Sequence, residues 1–116
     1  MRKFHLILSY TMLLIGIVHI IFSTQIYDKL SFNSLWFISG GLWGILLGFI
    51  NLLLNDKTVI TKKESIIWFL SNLLSTVFIV TGVYVMRDTG SYVIAIIILV
   101  LFITSILLMK TKRSRY

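Results

Sequence analysis

The feature that most constrains this chain is a set of four apolar runs without a proline among them, at about 4–23, 35–54, 65–86 and 92–109, the third expected as a helix over 62–86. About 20 apolar residues are what an α-helix needs to cross a hydrocarbon layer ~30 Å thick. A lone segment in that layer must pair its backbone N–H and C=O groups internally, and the helix does so. Four spans within 116 residues leave no stretch for a separate water-soluble unit. The sequence therefore predicts an all-α integral membrane four-helix bundle, up-down-up-down, with 1–116 as one domain. The overall balance, 58% hydrophobic against 13% charged, departs from that of water-soluble domains in the same direction. Arg2 and Lys3 ahead of the first run also suit a signal peptide, but no A-x-A-like cleavage site follows it. The first span is expected to be retained.

The charges sit at the ends of the runs. Arg2, Lys3, Lys57, Lys62, Lys63, Lys110, Lys112, Arg113 and Arg115 fall on one side of the predicted membrane, and only Lys29 and Arg87 on the other. Lys and Arg accumulate in cytoplasmic flanks, so the expected location is the cell membrane, multi-pass, with both termini cytoplasmic. The net charge of +7 raises nucleic acid as a partner, but these residues border apolar runs and no nucleic-acid-binding motif surrounds them. The expected partner of Lys62, Lys63 and the tail from Lys110 to Arg115 is anionic lipid at the cytoplasmic face of the bilayer. Thr61 followed three residues later by Glu64 is a capping box, which starts the third helix at Lys62.

Wound at 3.6 residues per turn, the first run places His5, Ser9, Met12, Gly16, His19 and Ser23 on one face. Hydrocarbon satisfies no hydrogen bonds, so this stripe is expected to face protein or water. His19 lies about one turn inside the outer boundary, at a depth shared with Ser39, Gly40, Gly82 and Ala95. One imidazole among small residues suggests a pocket open to the outer leaflet. A proton-linked site, a haem or metal ligand, a binder of a polar lipid or quinone headgroup, and a hydrogen bond tying helices together all suit it. His5, roughly 21 Å away along the helix, is expected to be a partly wet helix-end residue. No cofactor is expected: a haem at His19 lacks a second ligand, and zinc lacks any Cys, Asp, Glu or second His at that depth. Asp28, Asp56, Glu64 and Asp88 are scattered over both sides of the membrane, which speaks against an enzyme.

In the second run Gly40, Gly44 and Gly48 recur every four residues, with Asn51 nearly in line. Small residues spaced this way let two helices approach closely, Asn51 can hydrogen-bond across such a contact, and Asn72 is expected among the packing residues of the third helix. The fourth run is almost uniformly Ile, Leu and Val, so it is expected to face lipid while the first three helices form the interior. Trp36, Phe37, Trp68 and Tyr92 fall near span ends, where aromatic belts form.

Small multidrug exporters share the length and the four spans but carry a carboxylate within the first helix, which is absent here. Gly16-Ile17-Val18-His19, with Leu35-Trp36-Phe37-Ile38-Ser39-Gly40-Gly41-Leu42, resembles uncharacterised small four-span bacterial membrane proteins with a G-x-x-H first helix. That resemblance implies the four-span fold and no activity. The functional expectation is a small polytopic membrane protein with a binding or accessory role, in a homo-oligomer or with a larger membrane partner. The alternative is a minimal transporter or channel subunit using the helix-one stripe as a polar path.

Overall fold

The structure is a computed structural model, and it describes residues 1–112. Arg113 and Arg115, counted above in the basic tail, lie outside the described residues. Four helices follow one another, α1 (Arg2–Ile26), α2 (Phe32–Asp56), α3 (Lys62–Met86) and α4 (Thr89–Lys112). Each is long and apolar enough to cross a membrane. The chain is thus a multi-pass membrane protein by construction, and the short links make sequential helices antiparallel.

The helices run further than the apolar runs, and at the starts of α2 and α3 a capping box carries them into polar sequence. Thr61 and Glu64 form the expected capping box at the start of α3. Ser31 and Ser34 build a second one at the start of α2, where no acidic signature announces it. The first link is accordingly shorter than expected: Ile26 belongs to α1, and only Tyr27–Ser31 separates it from α2. Between α3 and α4 the chain turns within Arg87 and Asp88. Arg87 takes a left-handed conformation (φ 53°), and its amide donates to the Val83 carbonyl. The Ser91 amide donates to the Asp88 carboxylate, which closes the N-terminus of α4 and holds that carboxyl below the ordinary carboxylate range.

α1 packs chiefly on α2, and α3 on α4, so the bundle is a pair of helical hairpins. The first is closed by glycine. A Cβ on Gly16 would lie 2.6 Å from the Gly41 carbonyl oxygen and 2.8 Å from the Ile45 nitrogen. A Cβ on Gly48 would lie 3.0 Å from the Ser9 carbonyl oxygen, and one on Gly44 3.4 Å from the Gly16 Cα. The seam therefore runs through Gly41, Gly44 and Gly48 against Gly16. Gly40, first of the expected ladder, stands beside it, facing the His19 ring.

Helix α4 is not the lipid-facing bystander expected. Ile98, Leu101, Thr104, Ser105, Leu108 and Lys112 are buried along it. One apolar cluster joins Met12, Leu47, Ile79, Ile98 and Leu101; a second joins Leu54, Ile60, Trp68 and Leu108. Every helix contributes to this core, and a uniformly aliphatic sequence hid which α4 face turns inward.

The seam makes a specific forecast about glycine. Gly16→Ala should destabilise the protein by about 1–3 kcal/mol, because the new methyl meets backbone that cannot move aside. Gly40→Ala, whose Cβ would sit an ordinary 3.5 Å from His19 Nε2, should be neutral or slightly stabilising. Denaturant titration in detergent micelles compares the two; equal losses would show that the seam is misplaced.

Candidate functional site

The two histidines occupy very different surroundings, and His5 departs from its expected place. His5 is fully buried (0% exposed) and not a wet helix end. Its Nδ1 lies 2.7 Å from Thr104 Oγ1 on α4. The Thr104 hydroxyl has one proton and is also 2.9 Å from the Val100 carbonyl and 3.0 Å from that of Leu101. Proton counting favours donation from Thr104 to the backbone and from His5 Nδ1 to Thr104. His5 Nε2 then carries a bare lone pair, and it has no partner among the described residues.

The His5 ring meets Trp68 edge-on, with centroids 5.5 Å apart. Trp68 is equally buried, so it belongs to the core and not to an aromatic belt. Its indole N–H donates to Asn51 Oδ1 at 2.6 Å, and Asn72 Nδ2 donates to the same oxygen at 3.2 Å. Asn51 Nδ2 answers with a donation to Asn72 Oδ1 at 3.3 Å and one to the Leu47 carbonyl at 2.8 Å. Asn72 Nδ2 also reaches the Trp68 carbonyl at 2.9 Å. Thr104, His5, Trp68, Asn51 and Asn72 thus form one polar junction drawn from all four helices. One turn toward the basic end, Lys112 donates to the Leu54 and Asn55 carbonyls at 3.1 and 2.5 Å, and its ammonium lies 5.7 Å from the centre of the Trp68 ring. A cation at the last carbonyls of α2 complements the negative end of the helix dipole.

The rest of the stripe is occupied by packing. Ser9, Met12, Gly16 and Ser23 are buried, and the Ser9 hydroxyl donates to the His5 carbonyl at 2.8 Å. A further cross-helix bond, from Trp43 Nε1 to Ser75 Oγ at 2.9 Å, ties α2 to α3 nearer the centre of the bundle.

His19 is half-buried. Its ring stacks on Phe37 with centroids 3.7 Å apart, and it makes no hydrogen bond among the described residues. Of the layer expected around it only Gly40 adjoins it. Ser39 is exposed and returns its hydroxyl to the Leu35 carbonyl at 2.7 Å. A Cβ on Gly82 would meet only Met86 and Ile79 of its own helix. Ala95 packs against the central apolar cluster. His19 instead lines an open groove of about 320 Å³ on the outside of the first hairpin, with Leu14, Val18, Phe22, Ile26 and Phe37. Among the described residues no three His, Asp or Glu side chains gather where a metal ion could be held.

Trp68, Thr104, Gly41 and Lys112 were not singled out as site or packing residues from sequence. Thr104-Ser105 was the available signal, as adjacent polar residues within an otherwise aliphatic span that have to find partners. Comparison with protein-family models, curated proteins and solved structures finds no match.

Trp68→Phe deletes the donor to Asn51 and leaves a gap where the larger, fully buried indole stood. It should cost more than the roughly 0.6 kcal/mol average for hydrogen bonds between membrane helices, because the cavity adds to the lost bond. Trp36→Phe, at an exposed ring, should cost nothing measurable in the same titration. Equal behaviour of the two variants would contradict the junction.

Proposed function

We propose that this chain is a membrane-embedded binding or accessory protein whose interaction site is the His19 groove. The observation that carries the reading is the fate of the helix-one stripe. A polar path needs its side chains to face water, whereas His5, Ser9, Gly16 and Ser23 are taken up in helix contacts. The groove is where the stripe is left open. It combines apolar walls with an imidazole that is without a hydrogen bond among the described residues. Its occupant would be apolar with a single hydrogen-bonding group, since a bare imidazole in hydrocarbon gains most from one partner. No step of chemistry is assigned to it.

We further infer an arrangement with both termini and the link between α2 and α3 in the cytoplasm, supported by the Lys and Arg distribution. The His19 groove then opens toward the outer leaflet.

The chain has no cysteine, so single replacements report cleanly. Ser9→Cys should resist a membrane-impermeant thiol reagent applied from either side, and vesicles containing the protein should pass protons no faster than empty ones. Labelling of Ser9→Cys together with flux would establish the path reading instead. With the same reagent outside intact cells, Asn33→Cys should react and Lys57→Cys should not; the reverse would invert the orientation. A photo-reactive benzoylphenylalanine at Val18 in the groove should give a discrete adduct that His19→Leu removes. The same probe at Ile96, exposed on α4, should not. Identical adducts at both positions would sink the groove as a binding site.

A further inference from the structure

A second groove, also about 320 Å³, runs between α3 and α4 at the basic-rich end of the bundle. Its walls are apolar, chiefly Ile66, Phe69 and Ile106, and two lysines, Lys62 and Lys110, line it from the two helices. The charge balance at that end is unequal. Among the described residues two carboxylates lie there, and both are engaged: Asp56 pairs with Arg2 at 3.3 Å, and Glu64 with Lys57. Asp28 and Asp88 belong to the links at the opposite end. Among the described residues, neither Lys62 nor Lys110 has a carboxylate within ion-pair distance. Two uncompensated cations over a hydrocarbon-lined cleft match an anion that carries its own apolar chains.

Ser65 adds an independent observation at the same place. Ser9, Ser39 and Ser75 each return their hydroxyl to the carbonyl four residues back. The Ser65 hydroxyl lies out of contact with water, yet it has no partner among the described residues. Rotation about its Cα–Cβ bond would turn this leftover donor into the lysine-flanked groove, where an ester or phosphate oxygen could accept from it.

We propose that this groove seats an anionic diacyl phospholipid, with its phosphate between Lys62 and Lys110 and its chains laid along Ile66, Phe69 and Ile106. Its volume suits the headgroup and glycerol end, with the chains continuing along the outer surface of the hairpin. The site is independent of the His19 groove, which lies on the other hairpin at the opposite end. It converts a general attraction of basic flanks to anionic membrane into one stoichiometric lipid.

The test uses full-length protein in a non-ionic detergent, titrated with phosphatidylglycerol or with phosphatidylcholine of the same chains and read by native mass spectrometry. One phosphatidylglycerol should be retained with roughly tenfold or greater preference. Lys62→Gln with Lys110→Gln should reduce retention to the phosphatidylcholine level. Lys3→Gln with Lys63→Gln, an equal charge loss at the same end but outside the groove, should leave it intact. Equal retention of the two lipids, or equal loss in the two double variants, would overturn the site in favour of a diffuse basic surface. Competition by free glycerol phosphate at concentrations similar to the lipid's would overturn the assignment to a lipid.

Discussion

A hydrogen-bonding side chain inside a bilayer has no water to return to, and that constraint organises this molecule. His5, Asn51, Trp68, Asn72 and Thr104 come from four helices and find their partners only when all four are in place. Burying apolar surface gives little direction here, because lipid chains solvate Leu and Ile as well as a protein interior does. The polar junction supplies the missing direction. It fixes rotation, since an Asn51 turned off axis loses both Asn72 and Trp68. It also fixes depth, since a helix shifted by one turn has no partner to offer.

Two kinds of contact divide the work. Within the first hairpin the Gly16 seam brings backbone onto backbone, giving close dispersion contact over a long interface. Between the hairpins, apolar clusters meet around the junction, with Trp43 to Ser75 as a second polar tie. The basic end is fastened further by Lys112, which binds the last carbonyls of α2, and by the Ile60 amide, which donates to the Lys112 carbonyl at 3.1 Å. Toward the opposite end α3 grows exposed: Val80, Thr81, Tyr84, Val85 and Met86 all face outward. The two proposed binding grooves follow from this arrangement, one on the outer face of each hairpin.

Much of the architecture was legible in the sequence because hydrocarbon imposes a strict length rule and the capping box at Thr61 follows from local geometry. Asn51 and Asn72 stand out in the sequence as packing residues, but nothing in it shows that they pair with each other. Helical periodicity correctly grouped the stripe but could not say what stood opposite it. His5 looked wet because it lies close to Arg2 in sequence, yet α4 and Trp68 close over it. His19 looked central because its depth matched small residues on the other helices. Depth fixes one coordinate and leaves rotation free, and Gly82 and Ala95 face elsewhere. Gly41 was masked by the regular spacing of Gly40, Gly44 and Gly48, although the closest approach runs through it.

The proposed function rests on a polar stripe sealed by helix packing, so the integrity of the junction underlies that proposal as well as the fold. The most direct test is a double-mutant cycle across the two hairpins, with His5→Leu, Thr104→Val and the pair, each measured by denaturant titration in micelles. The structure predicts that the two losses are coupled, with an interaction energy of about 0.5 kcal/mol or more. Losses that add within about 0.3 kcal/mol would mean that His5 and Thr104 do not share a hydrogen bond, and would contradict a junction that joins α1 to α4.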